Sequence, residues 1–395
     1  MVMSEANNLL TLYKLSHNKK TKAPFYTLIR ERETMKLFYE LLQVATGHRD
    51  SLSATPSADE WVRMYNLAQQ HCIQGITFAA IDVLAKTPAA ANLPRQLLFQ
   101  WIAAADLLRK RNRKVNAQCV QLCDHLREEG FRPCVLKGQG TAALYGPLSE
   151  LRTVGDIDVW VMPHGVRSIK ESRPMVDAFV HRKFPEEKGA FIHIEYPFFE
   201  EPEVEMHYIP TMGGTFAMDR RYERLFEQRQ DACFGNATKM GFAVPEAVVN
   251  VVFNLRHIQG HFISEGIGLR HVLDFYFILK SLTDMGKPEK VEEAKRIVAD
   301  FGMMRFFKPL LWVIAEVVEN QKHTMAEKWD VEPDERRGRV VLREMLAGGN
   351  FGRHDDRYKD KWNASIWKRW TTYLRLSMVR FRYFPKETVY SWVFR

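Results

Sequence analysis

Gly155-Asp156-Ile157-Asp158-Val159-Trp160-Val161 sets two carboxylates two residues apart in a run rich in β-branched and aromatic residues. Successive side chains of a strand point to opposite faces, so Asp156 and Asp158 share one side while Ile157 and Val159 turn to the core. Two carboxylates so placed repel each other on a half-buried strand. A hard divalent cation, Mg2+ or Mn2+, removes that conflict. A solvated acidic strand end is the competing reading.

Upstream, Pro133-Cys134-Val135-Leu136 has a buried-strand pattern, Lys137-Gly138-Gln139-Gly140 a turn, and Thr141–Tyr145 the first turns of a helix. A strand–turn–helix junction offers backbone N–H groups and the helix dipole to an anion, and a glycine lets phosphate approach the chain closely. Downstream, the pattern predicts a helix over Val166–Arg182 and strands over Ala190–Phe198 and Val204–Ile209, split by Glu200-Glu201-Pro202-Glu203. Glu203, Glu205 and His207 then share one strand face, which makes Glu205 a candidate third carboxylate. The polar outer face of an edge strand would read the same way. These elements form a small α/β unit.

The series Leu136-Lys137-Gly138, Tyr145-Gly146-Pro147, Arg152-Thr153-Val154-Gly155-Asp156-Ile157-Asp158 and Val204-Glu205-Met206-His207 resembles an uncharacterised bacterial nucleotidyltransferase family of the DNA polymerase β-like superfamily. His257, His261 and Gly266-Ile267-Gly268-Leu269-Arg270-His271-Val272-Leu273-Asp274 resemble its helical segment, so the likeness runs from Pro133 to Tyr276. The resemblance implies Mg2+-dependent transfer of a nucleoside monophosphate from an NTP to an acceptor hydroxyl, with release of pyrophosphate. Asp156, Asp158 and Glu205 would be the catalytic metal ligands. Gly138 would hold the triphosphate, with Gln139 and Gly155 in the same turns, and Lys137 and Arg152 would contact phosphate. The chain has Gly138-Gln139 where the superfamily usually has Gly-Gly or Gly-Ser. The acceptor class, whether small molecule, RNA or protein, is left open. A catalytically silent nucleotide- or RNA-binding module with the same fold is the alternative.

His207, His257, His261 and Arg270 are candidates for cleft contacts. His257 and His261 stand at i, i+4 and share a helix face, a spacing that serves metal, substrate or simple packing. Arg270 and Asp274, also i, i+4, read as a helix ion pair or, for Arg270, as a phosphate contact.

The flanks are helical. Ser57-Ala58-Asp59-Glu60 is a capping-box start for Trp61–His71, Pro94 opens a long helix, and Gly130 stops it. After Gly214, helices are expected from Pro245 to His261, over Leu269–Leu282, Val291–Phe301 and Phe306–Asn320, with 333–360 loop-rich except around Val340–Met345. The expected organisation is a basic flexible tail (1–34), an N-terminal helical region (35–130), a nucleotidyltransferase palm (131–212) and a C-terminal helical domain (213–395). That is an α+β fold, a small mixed-sheet palm flanked by helical regions. Met35 opens an apolar helical pattern and is an alternative translation start.

The 395 residues carry 57 basic against 48 acidic side chains, a net charge of +9, which favours polyanionic partners. Basic residues interleave with Trp367, Trp370, Tyr373, Phe381, Tyr383, Phe384 and Trp392 in Ile366–Arg395. This pattern fits a packed helix, a membrane surface or nucleic acid. No apolar run reaches the ~18–20 residues of a transmembrane helix, and the N-terminus lacks a signal-peptide pattern, so a cytoplasmic protein is expected. The 5 cysteines are too scattered for a disulfide framework.

Overall fold

The computed structural model describes residues 25–321, 323–352, 354, 380–385 and 388–389. Four strands, β1 (Phe131–Val135), β2 (Ile157–Pro163), β3 (His193–Glu195) and β4 (Val204–His207), form one mixed sheet in the order β1-β2-β4-β3. β2 runs antiparallel to β1 and parallel to β4, and β3 closes the edge antiparallel to β4. Every residue of β2 is buried. The sheet is therefore covered on both faces, and the period of two sorts its side chains between two cores. Ile157, Val159 and Val161 enter one, with Val204 and Met206. Trp160 and Met162 enter the other, with Cys134 and Leu136.

Helices supply both covers. In chain order they are α1 (Phe25–Ala45), α2 (Ala58–Gln70), α3 (Gln74–Leu84), α4 (Arg95–Glu128), α5 (Gln139–Ala142), α6 (Ile169–Lys183) and α7 (Phe216–Phe234). Then follow α8 (Ala247–Ser264), α9 (Leu269–Asp284), α10 (Pro288–Asp300), α11 (Met304–Val317), α12 (Met325–Lys328) and α13 (Glu335–Gly348). The smaller core joins the sheet to Val176, Phe179 and Val180 of α6 and to Cys119, Leu122 and Leu126 of α4. The larger joins the other sheet face to α8, α9, α11 and the N-terminal helices. The first half of α4, with Leu97, Trp101 and Ala105, belongs to that larger core. One helix thus pins both cores together.

Local rules explain the helix ends. Ser57 and Glu60 form the capping box of α2, Pro94 stands at the N-cap of α4, and Gly130 turns the chain at φ 88°. The basic run of α4 is a solvated face: Lys110 pairs with Asp106 and Arg113 with Glu150. Asn112, in the middle of that run, is buried.

Several elements differ from the sequence expectation. α1 begins at Phe25, so the boundary placed at residue 34 falls inside a helix. The strand expected over Ala190–Phe198 is extended only at His193–Glu195. α7 lies in the stretch between Gly214 and Pro245, and α13 extends the short helix expected around Val340–Met345 to Glu335–Gly348. Within Ile366–Arg395, Trp367, Trp370, Tyr373 and Trp392 lie outside the described residues. Phe384 packs on Phe262 and Phe306, and the Arg380 guanidinium donates to the Ile263 carbonyl at 2.5 Å. That part of the segment belongs to the body. No described helix is long and apolar enough to cross a membrane.

Candidate active site

A cavity of about 840 Å³ opens between the sheet and the helices α8 and α9. Its strand wall is built by register. Asp158 of β2 lies beside Glu205 of β4, their Cα atoms partners in the parallel ladder, so both carboxylates project from the same face. Asp156, just before β2, is exposed at the mouth.

Asp158 is almost fully buried, and a lysine and a histidine meet it. Lys137 Nζ lies 2.9 Å from its Oδ1, and His207 Nε2 lies 3.0 Å from the same oxygen. His207 Nε2 is also 3.2 Å from Glu205 Oε2. Burial works against the charged Asp158, but the Lys137 ammonium and the His207 contact outweigh it and hold the carboxyl below the usual range. His207 and Lys137 shift upward for the matching reason: burial lowers both, and the carboxylates more than restore them. Asp156 moves up instead, through burial and the neighbouring charges of Asp158 and Glu205.

The turn after β1 carries Gly138 at φ 60°, in the left-handed region that favours glycine. A Cβ there would stand 3.2 Å from the Asp156 carbonyl oxygen, so a side chain would press on the carboxylate loop. The helix that follows, α5, is a single turn of 4 residues. The expected dipole contribution is correspondingly small. Gln139 is no phosphate ligand in this arrangement. Its side chain is buried and donates to Asn116 Oδ1 at 2.6 Å and Asn112 Oδ1 at 3.3 Å, away from the cavity. Gly155 does line the cavity.

Arg152 lines the cavity as well, with its charge met inside the protein. Its guanidinium grips Asp274 of α9 with Nε 2.7 Å from Oδ1 and Nη2 2.8 Å from Oδ2, and Tyr145 donates to the same Oδ1 at 2.6 Å. Both members are buried. Arg152 therefore fastens the carboxylate loop to the helical wall, and Asp274 is engaged by Arg152 rather than by the expected i, i+4 partner Arg270. Arg270 lines the cavity, its guanidinium 5.6 Å from the Phe351 ring and its buried Nε without a hydrogen bond.

His257 and His261 meet as expected on one face of α8, with ring centroids 4.4 Å apart. His257 is pushed well below its ordinary range by burial, reinforced by Lys137 and the adjacent histidines. His271 of α9 shifts the same way through burial and Arg270. Burial thus disfavours charge on His257 and His271, in contrast to the strands.

Three contributors were not singled out by sequence reasoning. His193 faces His207 across β3 and β4, and its partly polar strand was the only signal. His271 sat inside a quoted motif without a role. Phe351 stands on a turn seated against Glu265, where Gly352 (φ 64°) leaves only 2.3 Å between an added Cβ and the Glu265 carbonyl oxygen. Local sequence carries no sign of that long-range seat.

Among curated proteins and solved structures, nothing matches the chain at a significant level. A family profile does match, over residues 57–318, from the capping box of α2 past the end of α11. That span contains the sheet and both helices of the cavity wall, and on it the chain belongs to a family described as uncharacterised nucleotidyltransferases.

Proposed function

We propose that the chain moves a nucleoside monophosphate from an NTP to an acceptor hydroxyl, with Mg2+ or Mn2+ held by Asp156, Asp158 and Glu205 in a polymerase β-like palm. The observation that carries this reading is the placement of Asp158 beside Glu205 on parallel strands, with Asp156 at the mouth of the same cavity. The donor set fits the ion. Asp156, Asp158 and Glu205 line one cavity with hard oxygen donors, and Asp156 is shifted upward by burial and by the charges of Asp158 and Glu205, a repulsion that a dication relieves. Such an ion supplies Lewis-acid stabilisation of the charge that develops on phosphate.

The protein's own residues bind and orient. Lys137, which meets Asp158, is positioned to take a phosphate oxygen at the cavity floor. Arg270 offers a guanidinium that is not spent on Asp274, and Gly138 lets the triphosphate approach the backbone. Phe351, with the His261 and His271 rings set edge-on to it, gives the base or acceptor an aromatic surface. In the transfer, the acceptor oxygen bonds to the α-phosphorus as the bond to the pyrophosphate oxygen breaks.

Calorimetric titration of each NTP with and without Mg2+, paired with a pyrophosphate-release assay, tests this. Asp158→Asn should lose metal-dependent binding and slow release by about 10³-fold, several kcal/mol of transition-state stabilisation. Wild-type turnover in an Asp156→Asn/Asp158→Asn variant would sink the proposal. Metal-independent binding without pyrophosphate release would leave the silent module.

A further inference from the structure

We propose that His193, Glu205 and His207 form a separate cation site for a divalent first-row transition ion of the Zn2+ or Co2+ type, sharing only Glu205 with the aspartate pair. Its donors come from two strands of the sheet. His193 and His207 are cross-strand partners on β3 and β4, and Glu205 precedes His207 by one strand period, so all three rise from one face. Among the described residues this is the one group of three or more His, Cys, Asp or Glu whose ligand atoms all lie within 4.8 Å of one another.

The distances suit nitrogen and oxygen ligands around one small ion. Ligand bonds of about 2.0–2.2 Å in a tetrahedron put neighbouring donors roughly 3.3–3.6 Å apart. Here Glu205 Oε2 stands 3.2 Å from His207 Nε2 and 3.4 Å from His193 Nδ1. His193 Nδ1 is buried and makes no hydrogen bond to any described residue. It points at a carboxylate without the alignment of a hydrogen bond, as a lone pair aimed at a shared cation does.

His207 supplies a second observation. Its Nδ1 lies 3.4 Å from the Ile209 carbonyl oxygen, a contact that fixes which edge of the ring faces the sheet. Nε2 then faces two carboxylates, those of Asp158 and Glu205. A ligating histidine with its other N–H on a backbone carbonyl is the usual orientation device at metal centres. Imidazole donors favour Zn2+, Co2+ and Ni2+, whereas Mg2+ prefers oxygen and keeps its waters. Neighbouring carboxylates on one sheet would therefore sort ions by chemistry: oxygen-only at Asp156, mixed nitrogen and oxygen at His193.

Co2+ is the probe, because its visible absorption strengthens greatly when nitrogen ligands replace water at low coordination number. Titrating Co2+ into the full chain in excess Mg2+ should produce that absorption. His193→Gln should weaken Co2+ binding by at least about tenfold, while Asp156→Asn, which removes a ligand of the aspartate site only, should leave it unchanged. His193 lies on the edge strand with a partly exposed side chain, so its substitution spares the core. As a check on the wild-type chain, Zn2+ should raise the unfolding temperature more than equimolar Mg2+. Equal Co2+ binding by wild type and His193→Gln, full displacement by Mg2+, or equal stabilisation by Zn2+ and Mg2+ would overturn the site. A proton on His207 would then fill its place. The two proposals fail separately: loss of NTP turnover with an intact cobalt band, or the reverse, says which one is wrong.

Discussion

The two walls of the cavity treat charge in opposite ways. On the strand wall, Lys137, Asp158, Glu205 and His207 are linked by contacts of 2.9–3.2 Å, so each polar group meets a partner from a neighbouring strand or turn. On the helical wall, burial drives His257 and His271 toward their neutral forms, and the Asp274 carboxylate is occupied by Arg152 and Tyr145. The difference teaches a division of labour: the strands gather carboxylates with a lysine and a histidine, while the helices present buried rings and the Arg270 guanidinium to whatever lies across from them. A low-dielectric wall facing a charged one also strengthens the field between them.

The largest test of that division is the joint between the walls. Arg152→Lys loses the bidentate fork and leaves Asp274 half-answered in a buried site, so unfolding free energy should fall by about 3–5 kcal/mol in denaturant melts. An unchanged melt with only a raised KM for NTP would mean that Arg152 serves substrate instead. A smaller effect comes from a buried carboxylate beyond both walls. Glu319 accepts the Met325 N–H at 2.9 and 3.0 Å, yet burial pushes its carboxyl up to about 7. Asp158, equally buried but met by Lys137, shifts down, so the nearby cation decides the sign.

The linkage for Glu319 is direct. From the ordinary value of 4.5 up to about 7, the folded chain binds the proton more tightly than the unfolded chain does. Stability should therefore decline by about 3 kcal/mol as pH rises through that window, and level off above it. Glu319→Gln should flatten this part of the stability profile. The smallest effect is at Arg270: Arg270→Gln should weaken NTP binding by about 10–100-fold, the loss of a charged hydrogen bond, with the melting curve nearly unmoved. Calorimetry on the variant separates the two readouts. An affinity equal to wild type would return the helical wall to a purely packing role.

The legible parts of the molecule were those governed by short-range rules. The capping box at Ser57, the N-cap at Pro94 and the alternation through Asp156–Val161 follow from neighbours one to four residues away, and they gave the strand wall with Asp158 and Glu205 on one face. Other features depend on partners far along the chain. Arg152 looked open to phosphate because Asp274, 122 residues later, is invisible to local pattern. Gln139 looked like a phosphate-turn residue because its partners Asn112 and Asn116 sit on a different helix. The strand around His193 was expected, but not its register, and only register brings His193 to Glu205.

The long helix α4 has its own consequence. Its 34 residues extend about 51 Å, with Trp101 seated in one core and Leu122 in the other. Midway, Asn112 donates to the carbonyls of Leu108, Glu150 and Arg152. A rod anchored in both cores and stitched to the carboxylate loop makes their stabilities common property, so heat should melt them in a single cooperative transition. The sheet is then no detachable cassette. Cut the chain at Phe131 and the part that carries the sheet loses the spine on which its own strands are laid.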